Sequence, residues 1–350
     1  MNLHGRQSAR RRNFGPAVEQ LDQIALLSGT TATVAPHLIS NFSQSTTQEF
    51  ASRVQSTIKG IVYTHHGSNT VKLDLYLPTG QAPAGGWPII LAFPGGGWRQ
   101  ASRKDYGGAV SVFTQKGYAV AGVDYTYAPK SGGSTWPTIL DDARAAVDWV
   151  GKNDQKYHLN ADKIIAMGES SGAHLALLLG TFPNAPAPAI QDPAPTSTDV
   201  TPPSKRHISA IVDFYGPVNL PELYSQTRAK VLPYFRGFLG GTPTQLPDRY
   251  KDASPIKHVD ALTPPTLIVQ GLKDPTVLPS QSLELNDKLA EVGVRHTLFT
   301  VPWAGHGFRL TLGKYSFVPD IVAFLDGALN GGNIPDSKVI GDTPATSKTS

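Results

Sequence analysis

Residues 163–179 join an apolar run, Lys163-Ile164-Ile165-Ala166-Met167, to Gly168-Glu169-Ser170-Ser171-Gly172 and then to Ala173-His174-Leu175-Ala176-Leu177-Leu178-Leu179. That order predicts a strand, a sharp turn and a helix. A turn this tight is strained and packs closely, so side chains flanking its tip would clash; glycine on both sides relieves this. Ser170 then stands at the tip of a G-x-S-x-G elbow, where a hydroxyl is presented as a nucleophile. Glycine and serine are common, so the motif alone is weak. The strand before it and the helix after it give it weight.

The rest of the chain agrees with that element order. Val71-Lys72-Leu73-Asp74-Leu75-Tyr76-Leu77 alternates apolar and polar residues, as a half-buried antiparallel strand does. Later runs are continuously apolar: 89–93, 119–123, 164–166, 208–214, 266–269 and 297–301. Strands buried on both faces read this way, which predicts parallel sheet. Ile139, Ala143, Ala146, Val147 and Val150 keep helical spacing on one face between two such strands. Alternating strands and helices predict an α/β fold, a mostly parallel central sheet flanked by helices.

With 350 residues the chain can form one large domain with tails. The expected division is an N-terminal extension over 1–51, largely disordered and related to export, a folded domain over 52–330, and a disordered polar tail over 331–350. Residues 181–206, rich in Pro, Ala, Thr and Ser, read as a flexible loop. Residues 218–255 carry Tyr224, Tyr234, Phe235, Phe238 and Leu239 between two core strands. They form either a small helical cap or an ordinary helical connection.

The net charge is +4, but Arg6, Arg10, Arg11 and Arg12 crowd the first dozen residues. The remainder is close to neutral, with no basic stripe interleaved with aromatics, so no nucleic-acid partner is expected. No apolar run reaches transmembrane length. The chain has no cysteine, which excludes disulfides, thiolate metal sites and cysteine nucleophiles. Arg11-Arg12-Asn13-Phe14 resembles a twin-arginine export signal, although Glu19 and Asp22 interrupt its apolar region. Residues 16–28 resemble a short N-terminal motif of some exported bacterial proteins, without its arginine. The reading favours export over cytoplasmic retention.

A serine hydroxyl needs a base within hydrogen-bond reach. His306 is the best placed of ten histidines, between glycines in a loop after the last strong strand. A base in turn needs a carboxylate to set its tautomer. Asp274 lies just past the strand 266–270, at the carboxyl end where sites form in open α/β sheets. Pro94-Gly95-Gly96-Gly97-Trp98 follows the strand ending at Phe93, and its glycines can turn backbone amides inward. Gly95, Gly96 and Ser171 are the expected donors to an oxyanion. The chain order Ser170, Asp274, His306 is that of α/β-hydrolases.

These residues carry a resemblance. The chain is similar, over about Val62 to Leu329, to α/β-hydrolases of the hormone-sensitive-lipase-like and carbohydrate-esterase branch, including the bifunctional feruloyl and acetyl-xylan esterase group. Leu73-Asp74-Leu75-Tyr76-Leu77-Pro78, Gly95-Gly96-Gly97-Trp98, Val123-Asp124-Tyr125, the elbow, residues 238–243 and Gly305-His306-Gly307-Phe308 all contribute. Pro94 stands where the family usually has His, and Ser171 where it usually has Ala. The resemblance implies an α/β-hydrolase fold and a serine ester hydrolase working through an acyl-enzyme without cofactor or metal. It also implies a small-molecule or carbohydrate-linked ester of a short or aromatic acid as substrate. An amide hydrolase of arylformamidase or acyl-peptidase type, and a non-catalytic binding protein, remain as alternatives.

Trp98, Tyr125, Tyr127 and Trp303 flank the expected site and are candidates for its pocket. Glu169 reads as a helix-start carboxylate. His174, His65 and His66 lack partners at metal-ligand spacing and read as structural. Asp124, Asp141 and Asp142 read as scaffold.

Overall fold

Strand β1 (Ser56–His66) and β2 (Asn69–Leu77) form an antiparallel pair, and β3 (Trp87–Phe93) begins the continuously buried strands. The computed structural model describes residues 56–100, 102–128, 134–182 and 208–341. The expected N-terminal extension, its export signal and most of the loop expected over 181–206 lie outside the described residues, as do 342–350.

Helix α1 (Gly107–Thr114), β4 (Ala119–Val123), α2 (Thr138–Tyr157), β5 (Leu159–Glu169), α3 (Ser171–Thr181) and β6 (Ile208–Phe214) follow in turn. Three short helices come next: α4 (Leu220–Gln226), α5 (Leu232–Leu239) and α6 (Pro247–Asp252). The chain continues through β7 (Thr266–Gly271), α7 (Pro279–Glu291), β8 (His296–Val301), a small ribbon of β9 (Thr311–Leu312) and β10 (Tyr315–Ser316), and α8 (Val318–Asn330), to β11 (Lys338–Val339). The main sheet runs β1-β2-β4-β3-β5-β6-β7-β8-β11. Only the pairings of β2 with β1 and with β4 are antiparallel; the others are parallel. This is the architecture of the α/β-hydrolase fold.

The central parallel strands are mostly apolar and buried because helices cover both faces. Ile89, Leu91 and Phe93 of β3 pack in one cluster with α2, α3 and α7. Ile90 and Ala92 point the other way, into a second cluster with Val110 and Phe113 of α1 and Ile321, Phe324 and Leu325 of α8. Helices α4 to α6 extend the first cluster through Leu223, Phe235, Phe238 and Tyr250. No helix among the described residues is long and apolar enough to cross a membrane.

The expectation of disorder from residue 331 fails for residues 331–341. β11 pairs in parallel with β8, the amide of Ile340 donates to Thr300 O at 2.8 Å, and Ile340 is buried. Polar, Pro/Gly-containing composition says little about such a segment. It docks mainly through its backbone onto the otherwise open edge of β8, and covering that edge satisfies unpaired N–H and C=O groups.

Candidate active site

Ser170 occupies φ 52°, ψ −120°, between the end of β5 and the start of α3. A side-chain-bearing residue adopts this conformation only where its surroundings enforce it, at a cost of about 1–3 kcal/mol. The enforcement is visible. The Ser170 amide donates to Phe214 O of β6 at 2.9 Å, and the Ser170 carbonyl accepts from the His174 amide at 3.0 Å. A Cβ on Gly168 would run into the Gly172 backbone, and one on Gly172 into the carbonyl of Phe93. Both glycines of the motif are therefore steric requirements of the turn.

Asp274 ends a turn after β7 in which its amide donates to Gly271 O at 3.1 Å. Its Oδ1 accepts from the amides of Thr276 at 2.8 Å and Val277 at 3.1 Å. That leaves Oδ2 for His306, whose Nδ1 lies 2.6 Å away. An Asp before a proline commonly forms the turn; in Asp274 that role and the role of carboxylate partner fall to different oxygens of one group. The carboxylate is fully buried, whereas the His306 side chain is 23% exposed and reaches the cleft. His306 Nε2 stands 3.0 Å from Ser170 Oγ. With Nδ1–H donating to Asp274, Nε2 is left to accept the serine proton. The structure thus brings together all three residues singled out from the sequence.

Ser170 and His306 open onto a cleft of about 540 Å³. Gly95, Gly96 and Ser171 line it beside Ser170. The amides of Gly96 and Ser171 donate to no protein group among the described residues; Ser171 opens α3, where an amide has no intrahelical acceptor. Trp98 also lines the cleft. Its indole N–H donates to His174 Nδ1 at 3.2 Å, and its ring stacks on Phe238. His174 Nε2–H donates to Ala253 O at 2.7 Å, and burial lowers its pKa to about 4, so it is a neutral structural group.

Two pocket candidates are corrected. Tyr125 lies under the glycine loop, not on the cleft: its hydroxyl donates to Pro94 O at 2.9 Å and sits 3.3 Å from Ser171 Oγ. Ser171 thereby gains a partner that alanine would lack. Trp303 turns away toward the C-terminal segment, its indole nitrogen 3.4 Å from Gly341 O. Both rings are close to the site in sequence, but the phenol and the indole each follow a backbone carbonyl. Glu169 is also corrected: it ends β5, buried, and pairs with Arg309 Nε at 3.1 Å. Burial raises its pKa, and Arg309 opposes that rise. Asp124 and Asp142 are scaffold: Asp124 holds Arg103, and Asp142 holds His66 and the Thr126 amide.

Other cleft residues were not singled out for the site. Tyr215 follows β6 with φ 45°, its ring edge-on to His306 at 4.8 Å and its hydroxyl donating to Phe308 O. Its position just past the carboxyl end of a core strand was the available signal. Leu223, Val231, Tyr234 and Phe235 come from the α4–α5 region and Val277 from the loop after Asp274. The segment 218–255 is thus a helical cap that supplies one wall of the cleft.

The profile of the BD-FAE family matches residues 73–289, more than half of the chain. Esterase LipC of Mycobacterium tuberculosis is 29% identical over 226 residues, covering 64% of this chain and 53% of that protein. The chain spans about half the length of the mycobacterial relatives it matches. Among solved structures, a truncated carbohydrate esterase from gut microbiota superposes with TM-score 0.64 at 24% identity, over 80% of this chain and 98% of that one. A thermophilic esterase of the planctomycete Thermogutta terrifontis does so with TM-score 0.58 at 25% identity, over 73% and 85%.

Proposed function

The chain belongs to the BD-FAE family, and from that membership and the cleft we propose that it is a serine carboxylic ester hydrolase acting on carbohydrate-linked esters of short or aromatic acids. The observation that carries this reading is the relay from Ser170 Oγ to His306 Nε2 at 3.0 Å and from His306 Nδ1 to Asp274 at 2.6 Å, facing an open cleft.

His306 takes the Ser170 proton as Oγ bonds to the ester carbon. The buried Asp274 carboxylate stabilises the imidazolium so formed. Negative charge moves to the former carbonyl oxygen, where the amides of Ser171 and of the Gly95–Gly96 loop donate to it. Each such donor is worth roughly 10²–10³ in rate. The intermediate collapses by breaking the bond to the alcohol oxygen, which leaves with the proton from His306. Water then repeats the sequence: His306 accepts its proton as the water oxygen bonds to the acyl carbon, the acyl–Ser170 bond breaks as His306 returns that proton to Oγ, and the acid departs.

A fluorophosphonate probe is expected to label Ser170, with loss of labelling in Ser170→Ala; labelling at another residue would move the nucleophile. Matched p-nitrophenyl ester and anilide substrates, from acetyl through butyryl to feruloyl, test the bond. Esters are expected to turn over at least a hundredfold faster, and an anilide preference would replace this reading with the amide hydrolase.

A further inference from the structure

The two walls of the cleft belong to opposite faces of the sheet and differ in chemistry. Leu223, Val231, Tyr234 and Phe235 continue the core that covers α2, α3 and α7, and make an apolar wall next to the exposed Lys230. Across Ser170 lie Glu169 and Arg309, next to Tyr106 and Phe308 of the other core cluster. The guanidinium is held in a fixed orientation. Its Nε pairs with both Glu169 oxygens at 3.1 and 3.2 Å, and its Nη1 donates to Asp105 O at 2.8 Å. Its Nη2 has no hydrogen-bond partner among the described residues, and the Arg309 side chain is half exposed.

We propose that the Glu169–Arg309 pair is a subsite for the alcohol half of the substrate, recognising a neutral vicinal diol next to the scissile ester oxygen. This rests on the ester-hydrolase reading and deepens it. An acyl group fits the apolar wall, which leaves the alcohol for the polar one. A lone Arg would select a carboxylate or phosphate, but Glu169 cancels its charge, so an anionic alcohol gains no net attraction. What remains is a donor, Nη2–H, beside an acceptor, the carboxylate. Each hydroxyl of a diol both donates and accepts, so two adjacent hydroxyls satisfy both groups at once. The pair makes no hydrogen bond to the Ser170 hydroxyl or to His306, so its loss acts on binding of the alcohol before it acts on the chemistry.

Glycerol 1-acetate and propyl acetate share a carbon skeleton and differ only by the diol. With each rate divided by that of hydroxide-catalysed hydrolysis, kcat/KM is expected to favour glycerol 1-acetate by about tenfold or more. That ratio is expected to fall toward one in Arg309→Leu, which removes the donor, and in Glu169→Ala, which removes the acceptor, mainly through KM. Fluorophosphonate labelling of Ser170 in both variants reports an intact site. A ratio near one in the wild type, a ratio that both variants retain, or a preference for the anionic 3-acetoxypropanoate overturns the subsite while leaving the hydrolase standing. Failure of every ester, with no labelling, instead removes the hydrolase. Titration of Ser170→Ala with methyl β-D-xylopyranoside needs no turnover: binding that weakens tenfold on adding Arg309→Leu supports the subsite, and binding that does not change overturns it.

Discussion

The rim of the sheet and the cap over it are built by different means. At the rim, Ser170, Asp274 and His306 are placed by backbone: a strained turn, amides donating into one carboxylate oxygen, and glycines where a Cβ would strike main chain. In the cap, Phe235, Phe238, Tyr224 and Tyr250 are placed by rings packing on rings and on Trp98. Backbone constraint leaves little freedom, and the relay distances of 2.6 and 3.0 Å need that rigidity. Aromatic packing accepts other rings of similar size, which suits a wall whose shape selects among acyl groups. Chemistry and selectivity should therefore separate under mutation.

The largest effect tests whether the rim works as one unit. Ser170→Ala is expected to cut kcat for p-nitrophenyl acetate by roughly 10⁴–10⁶, and the double variant with His306→Ala to be scarcely worse. Losses that add would mean that the two side chains act separately. Next comes Gly172→Ala, which removes no functional group. Its methyl would meet the Phe93 carbonyl, a main-chain atom of a central strand that cannot swing aside. A loss of about 4 kcal/mol or more in urea unfolding is expected, with a fall in activity. Wild-type stability would show that the elbow has slack.

The rim also holds an unpaired carboxyl. Asp213, near the end of β6, is fully buried; Oδ1 accepts from the Gly216 amide at 2.7 Å and Oδ2 has no partner among the described residues. Burial pushes its pKa up to about 7, with the Gly216 amide opposing. In the unfolded chain it releases its proton near pH ~4. The folded state therefore binds more protons between these values, and stability falls as pH rises through that window. His174 runs the other way: its pKa of about 4 in the fold lies below that of a free imidazole, so it costs stability as pH falls below ~6.5. Asp213→Asn keeps the acceptor for Gly216 and removes the ionisation. It is expected to gain about 2–4 kcal/mol over wild type at pH 8 and almost nothing at pH 4. An equal gain at both pH values would mean that Asp213 does not titrate in this range.

What could be read from the sequence follows the same division. The elbow, the glycine loop and Asp274 announce themselves within a few residues, because each is a strand end followed at once by a constrained turn. His306 needs only the strand before it and the glycines beside it. Tyr125 and Trp303 sit just as close to those strand ends, yet they point away, since their directions depend on the Pro94 and Gly341 carbonyls. The Glu169–Arg309 pair joins residues 140 positions apart, which no local pattern encodes. The segment 218–255 carried enough aromatics to suggest a cap, but not which of them would face the cleft.

The smallest effect falls on the cap, and on selectivity alone. Tyr234 is partly buried on the cleft wall, with its ring against Gly97 of the glycine loop and under the Arg99 guanidinium at 5.6 Å. It makes no hydrogen bond to the relay and lies on the apolar side of Ser170. Tyr234→Ala deletes a ring where the acyl group is expected to lie, so short acyl groups lose contact and longer ones gain room. Relative to wild type, the kcat/KM ratio of p-nitrophenyl octanoate to acetate is expected to rise about tenfold, the scale of a methylene or two in an apolar pocket. If instead acetate and octanoate fall together through kcat, Tyr234 helps to position the glycine loop, and the separation of rim from cap breaks at this contact between them.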